Sequence, residues 1–289
     1  MSTQGYLEMI NNAAQKIKDA DYILIGAGAG LSASGGLNYG DEKLFKKWYP
    51  ELVKRGIRTI GEAISTYWRP NNSNRRAFWA YWVNHINNIR YNTPALKPYL
   101  DLLSIVSNKK YFVITTNVDG QFEKAGFSPE NMFAPQGDYG LFQCSKPCSD
   151  HVYDNKSYII NMIANMDRNN FLIREQDIPK CPRCGAFMER NLRMDDTFVE
   201  APHLLKQSDY VDFINSSVDG SLVLLELGVG FNTPVIIRYP FEQITSTHSK
   251  ATLIRMNIDY PGVSPKIAEK CPGFSNDIME VLSEIKAAM

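Results

Sequence analysis

Four short apolar runs, each halted by small or polar residues, constrain this chain more than any other feature. Tyr22-Ile-Leu-Ile25 runs into the glycines of GAGAG, and Tyr111-Phe-Val-Ile114 into Thr115-Thr-Asn-Val-Asp-Gly120. Leu222-Val-Leu-Leu225 ends near Gly228-Val-Gly230, and Ala251-Thr-Leu-Ile-Arg-Met256 ends at Asn257. Runs this short and this continuously apolar read as strands buried on both faces, the condition of a parallel sheet covered by helices. Helical spacing of Tyr6, Met9, Ile10, Ala13 and Ile17 predicts a helix over residues 5–20, and a final helix over roughly 275–289 closes the chain. In an open parallel sheet ligands sit outside the carboxyl ends of the strands, so a row of strand ends carrying Gly, Asn and Asp is where a nucleotide is expected.

Two stretches interrupt this alternation. From about 42 to 105 the chain is helical and aromatic-rich (EKLFKKWYPELVKRG, RRAFWAYWVNHINNIR, PALKPYLDLLSIV), and residues 144–200 hold cysteines and a polar stretch. With 289 residues and 44% apolar content there is room for one large domain and a smaller one. The expected division gives residues 1–40, 95–143 and 205–289 to a nucleotide-binding large domain. A helical module over 41–94 and a cysteine-bearing module over 144–204 form the small one. Lysine plus arginine equal aspartate plus glutamate at 31 each, so no global field draws nucleic acid or an anionic membrane. The N-terminal segment has no apolar h-region or cleavage site, and no apolar run approaches the ~20 residues of a bilayer span; a cytoplasmic protein is expected.

Glycines in Gly26-Ala-Gly-Ala-Gly-Leu-Ser32 let backbone approach a pyrophosphate at a helix start. A tight strand-to-helix turn without ligand is the plain alternative, because an acidic ribose-binding residue about 20 positions on is missing. Cys144-x3-Cys148 and Cys181-x2-Cys184 form two close pairs, the second a knuckle, CPRCG. Four thiolates complete a tetrahedral zinc site with no open position, which is structural; a disulfide pairing is disfavoured by the knuckle spacing and the cytosolic reading. Cys271 reads as an idle thiol. Phe78, Trp79, Tyr81 and Trp82 read as helix packing, and His85 and His203 as ordinary core or surface residues, although His203, close after the substrate strand, could approach an acceptor.

On these residues the chain resembles the sirtuin family. The family pattern G-A-G-x-S is matched by Gly28-Ala-Gly-Leu-Ser32, T-Q-N-I-D by Thr115-Thr-Asn-Val-Asp119, and the zinc quartet by Cys144, Cys148, Cys181 and Cys184. G-T-S corresponds to Gly228-Val-Gly230 and I-N-x-E to Met256-Asn-Ile-Asp259. The resemblance implies an α/β fold, a Rossmann-like parallel sheet with a smaller inserted zinc-binding and helical domain, and NAD bound between them. It implies a cofactor set of Gly28, Ala29, Gly30, Ser32, Tyr39, Thr116, Asn117, Asp119, Gln136, Gly228, Val229, Gly230, Asn257 and Ile258. Within that set Asn117, Asp119 and Gln136 stand at the catalytic positions, Asp119 holding the nicotinamide carboxamide and Asn117 orienting the ribose or a water.

The departures from the pattern bear on the reaction. Deacylating sirtuins carry a histidine eight residues before the first zinc cysteine; here that residue is Gln136, eight before Cys144. G-I-P-D-F-R becomes Gly36-Leu-Asn-Tyr-Gly-Asp41, and V-V-x-F-G-E becomes Asp196-Thr-Phe-Val-Glu200. A glutamine hydrogen-bonds a ribose but takes no proton at neutral pH, and a positioned base is worth on the order of 10²–10⁴-fold. Acyl removal is therefore expected to be crippled, while the nicotinamide bond can still be cleaved. The Gln-for-His exchange and GAGLSASGG resemble the macrodomain-linked bacterial sirtuins. For those, the implied activity is protein mono-ADP-ribosylation of a lipoylated glycine-cleavage H-like protein, with a macrodomain hydrolase reversing it. A deacylase using another base and a silent NAD-sensing module are the alternatives.

Overall fold

The computed structural model describes residues 3–289. Among them the chain forms nine strands: β1 (Tyr22–Ala27), β2 (Lys110–Thr115), β3 (Met132–Phe133), β4 (Gly137–Cys144), β5 (Tyr153–Asp154), β6 (Met188–Leu192), β7 (Leu222–Leu227), β8 (Ala251–Met256) and β9 (Gly273–Phe274). Six of these make one parallel sheet in the order β3-β2-β1-β7-β8-β9. The four apolar runs of the sequence are its four central strands. Their side chains alternate between two cores: Ile23, Ile25, Val113, Val223, Leu225 and Ile254 pack on one face, and Leu24, Phe112, Ile114, Leu222, Leu224 and Leu253 on the other. Helices Thr3–Asp19, Lys97–Val106 and Ile278–Ala288 cover the first face. Thr3–Asp19 does so by burying Ile10, Ala13, Ala14 and Ile17, the i, i+3, i+4, i+7 stripe. Helices Gln207–Ser216 and Arg238–Thr247, which the periodicity did not announce, cover the second face through Phe213, Ile214 and Phe241.

The register sets the functional edge. Ala27 pairs with Thr115 and with Leu227, and Leu227 with Met256, so four strands end level. The ladder runs one residue further: Gly28 N–H donates to Leu227 O (3.0 Å), Thr116 N–H to Ala27 O (3.1 Å), Gly228 N–H to Met256 O (2.9 Å) and Asn257 N–H to Phe274 O (2.9 Å).

The smaller unit has its own core. Helix Arg75–Ile86 is buried nearly all round, with Phe78 to Val83, His85 and Ile86 inside, and it continues into a π-helical turn, Asn87–Asn92. The aromatic stripe is packing, as its spacing suggests. Beside it lies an antiparallel sheet in the order β5-β4-β6. Strand β4, which belongs to the stretch expected in the large domain, pairs here and sends Tyr139 and Phe142 into this second core. No helix among the described residues is long and apolar enough to cross a membrane.

Candidate active site

The level strand ends of β1, β7 and β8 open onto a cavity of about 560 Å³. Its floor is Gly28, Ala29 and Gly30 from the turn after β1, and Gly228, Val229 and Gly230 from the turn after β7. Thr116 lines one side, Asn257 and Ile258 another. The glycines are required before any ligand is considered. A Cβ on Gly28 would lie 2.7 Å from Gly228 O, and one on Gly30 would lie 2.6 Å from Gly228 Cα. Gly30 N–H donates to Gly228 O at 3.1 Å, so the two turns cross in van der Waals contact and present bare backbone to the cavity. Asn257 fixes the next turn: its Nδ2 donates to Val229 O (2.9 Å) and its Oδ1 accepts from Asp259 and Tyr260 N–H.

Behind the floor, four side chains close a buried network. The Ser32 hydroxyl donates to Asp119 Oδ2 (2.5 Å) and lies 2.6 Å from the Tyr99 hydroxyl; Asn117 Nδ2 donates to Gly28 O and to Tyr99 Oη, both at 2.9 Å. The other oxygen of Asp119 accepts from Gln121 N–H at 3.0 Å. Burial pushes the Asp119 carboxyl above the ordinary aspartate range, against the Ser32 and Gln121 hydrogen bonds that favour its charged form. Sequence reasoning missed Tyr99, since an aromatic inside an apolar helix carries no signal apart from packing.

Gln136 stands on a neighbouring loop whose backbone is held from outside. Arg193 N–H donates to Gln136 O (3.0 Å) and Arg193 Nε to Pro135 O (3.2 Å). No hydrogen bond engages the Gln136 amide among the described residues. A narrow space of about 30 Å³, lined by Asn117, Asp119, Gly137 and Asp138, separates its loop from the strand-end loop. His203 lies behind this loop with its ring stacked on Phe198. Asn191 spends its Nδ2 on Gln143 Oε1 and Val199 O, so its Oδ1 accepts from His203 Nε2 (2.5 Å); His203 is a strut, not a free base. Tyr39 also stays out of the cavity: its hydroxyl lies 3.3 Å from that of Tyr139 and its ring meets His85 edge-on.

The four cysteine sulfurs lie within 4.8 Å of one another, with Cys144 3.5 Å from Cys184 and Cys148 3.7 Å from Cys181. Such separations are edges of a tetrahedron of thiolates around zinc with bonds of about 2.3 Å, so the residues fit a closed structural site. It anchors the end of β4, whose last residue is Cys144. Cys271 is buried and its thiol is pushed up to about 12 by burial, in keeping with an idle role.

No protein-family model matches the chain. It is 30% identical over 271 residues to a protein ADP-ribosyltransferase of Staphylococcus aureus (strain Mu50), covering 92% of this chain and 84% of that protein. It is 31% identical over 271 residues to a probable bifunctional ADP-ribose hydrolase/ADP-ribosyltransferase of Fusarium oxysporum f. sp. cubense, spanning 91% of this chain but only 44% of that protein. An NAD-dependent protein deacylase of Pyrococcus abyssi is more distant, at 24% over 266 residues, covering 89% of this chain and 90% of that one. Among solved structures the fold superposes on a Sir2 enzyme with a TM-score of 0.57 and 18% identity over 97% of each chain. It superposes on a Sir2 homolog–NAD complex with a TM-score of 0.55 and 17% identity, over 96% of this chain and 92% of that one. A glycine-floored cleft at the ends of a parallel sheet, a four-thiolate site and kinship over nearly the full chain lead to one assignment: the chain belongs to the sirtuin-type, NAD-dependent protein ADP-ribosyltransferases.

Proposed function

We propose that this enzyme transfers ADP-ribose from NAD to a side chain of a lipoylated glycine-cleavage H-like carrier protein, releasing nicotinamide, and that a macrodomain hydrolase reverses the modification. The observation that carries the reading is the buried Ser32–Tyr99–Asn117–Asp119 network in a chain that carries Gln136, not histidine, eight residues before Cys144. The bare-backbone floor of Gly28–Gly30 and Gly228–Gly230 takes the pyrophosphate. Asn117, held by Gly28 O and Tyr99, orients the ribose that bears nicotinamide, and Asp119, fixed by Ser32 and Gln121 N–H, receives the carboxamide. In the transfer, an acceptor lone pair forms the new bond to the ribose carbon as the carbon–nitrogen bond breaks, and that bonding pair leaves with neutral nicotinamide. Gln136 offers a hydrogen bond to the ribose but takes no proton at neutral pH, so the step that completes deacylation lacks its base. A hydrolase partner is supported by the Fusarium relative, whose name joins an ADP-ribose hydrolase to an ADP-ribosyltransferase.

The test incubates the enzyme with labelled NAD and the carrier, lipoylated or not, and separately with an acyl-lysine peptide. Label on the lipoylated carrier with no deacylated peptide is expected. Efficient deacylation would overturn the reading of Gln136, and equal labelling of both carriers would remove lipoylation from the proposal.

A further inference from the structure

Arg90 lies outside every motif of the chain, yet it bonds the short helix that follows Asp119 and the start of β4, which follows Gln136. It sits in the π-helical turn Asn87–Asn92 at the end of the buried aromatic helix. Its guanidinium makes a two-pronged pair with Asp138, Nε to Oδ1 at 2.9 Å and Nη2 to Oδ2 at 3.2 Å, and Nη2 also reaches Glu123 Oε2 at 2.6 Å. Asp138 follows Gln136 by two residues, and Glu123 is in the first turn of the helix Gln121–Ala125 that follows Asp119-Gly120. One side chain on the small unit therefore ties together two points of the chain, Glu123 and Asp138, that lie on either side of the 3-10 turn Pro129–Asn131 and strand β3.

The backbone around it is shaped for that guanidinium. A Cβ on Gly120 would fall 2.4 Å from Arg90 Cζ, and one on Gly140 would fall 3.1 Å from Arg90 Nε, so the planar group lies between two glycines. Gly120 holds φ +70, a conformation that side chains rarely adopt. Further bonds brace the same junction: Tyr139 N–H donates to Val118 O (2.9 Å), and Lys124 Nζ donates to Ile89 O and Thr93 O, carbonyls of and just after the π turn. An extra residue in a helix re-aims the side chains beyond it, and this turn aims Arg90 into the gap between the loops. Both carboxylates hold the arginine firmly in its charged form despite burial.

We infer that Arg90 is a positioning residue for the reacting end of the site: it sets the distance between the Asp119 loop and the Gln136 loop through Glu123, Asp138 and the Gly120–Gly140 slot. The inference rests on the reading that these loops hold the nicotinamide-bearing ribose. A planar fork satisfies Asp138 with two parallel hydrogen bonds while keeping a third for Glu123; a lysine ammonium keeps the charge but not that geometry.

The experiment compares wild type with Arg90→Met and Arg90→Lys by three measurements: the Kd of ADP-ribose, which lacks nicotinamide; the Kd of carba-NAD, whose nicotinamide bond is not cleavable; and kcat and KM for nicotinamide release from NAD. In Arg90→Met the ADP-ribose Kd is unchanged, the advantage of carba-NAD over ADP-ribose is lost, and kcat falls by about 10²-fold, the scale of an ångström misplacement. Arg90→Lys restores part of the kcat. The inference is overturned if folded Arg90→Met keeps both kcat and the carba-NAD advantage, or if ADP-ribose binding falls in parallel with kcat, which marks a general structural role. If Arg90→Met does not fold, Asp138→Asn, isosteric and at a partly exposed carboxylate, must show the same signature. A wild type that labels no acceptor defeats the proposed function alone, because the two binding constants still decide the role of Arg90.

Discussion

Asn117 and Gln136 are held in opposite ways, and their substitutions should differ accordingly. Asn117 Nδ2 is bound to a backbone carbonyl of the glycine turn and to Tyr99, so its side chain is fixed before substrate arrives. The backbone of the Pro135–Gln136 segment is clamped by Arg193, while among the described residues no hydrogen bond engages the Gln136 amide. Asn117→Ala is expected to reduce transfer to background. Gln136→Ala should lose less than the roughly 10²–10⁴-fold that removal of a true general base brings, as read from single-turnover labelling of the acceptor. Equal and total loss in both would show Gln136 acting in the chemical step itself.

At the scale of elements, strand β7 carries a buried charge that its neighbours must balance. Glu226 is fully buried in the middle of the sheet, with its carboxylate on Arg255 of β8 (Oε2 to Nη2 2.8 Å) and near Arg238 (3.4 Å). The two arginines pass the charge on to loop carbonyls: Arg238 donates to Tyr260 O and Gly262 O, and Arg255 to Gly262 O. Burial raises the carboxyl pKa of Glu226 and the arginines oppose it. Glu226→Ala takes the carboxylate from buried Arg238 and leaves Arg255 with Glu242 alone (2.8 Å), and is expected to destabilise the protein by about 3 kcal/mol in denaturant unfolding. The loop over residues 257–262, which borders the cavity, should loosen with it. The same strand shows why some elements are legible in sequence and others are not. β1, β2, β7 and β8 declare themselves because burial on both faces leaves no alternation to read. β4, written GDYGLFQC, has two glycines and owes its extension to pairing with β6, close to fifty residues later. Helix Arg238–Thr247 includes Pro240 and ends ITST, so it forms because Phe241 and Ile237 fill the second face, not through propensity. The zinc quartet and glycine turn were legible as spacing. Tyr99 and Arg90 were not, because their roles exist only once distant segments meet.

Over the whole molecule, acid acts on the core of the smaller unit. His85 is enclosed there with Nε2 3.1 Å from the Tyr139 hydroxyl, and burial, reinforced by Arg190, lowers its pKa to about 3. The unfolded chain binds a proton at this histidine below about 6.5 and the folded one does not until about 3. Stability is therefore lost as pH falls from the upper value toward the lower, by about 1.4 kcal/mol per unit from this group. Urea unfolding between pH 6 and 4 should show a shallower slope in His85→Gln than in wild type; parallel slopes would mean that His85 is protonated in the folded state.

The level ending of the four central strands has a kinetic meaning as well. Because Gly28, Thr116, Gly228 and Asn257 each donate one hydrogen bond beyond the last strand residue, the first amide of each of these cavity-lining turns belongs to the sheet's ladder. These four amides should exchange with deuterated solvent about as slowly as those of the strands, with or without NAD, while Gly230 and Ile258, further out along the turns, slow only when ligand is added. The cleft floor then needs no ordering when NAD arrives, and what binding must still arrange lies in the loops that stand above it.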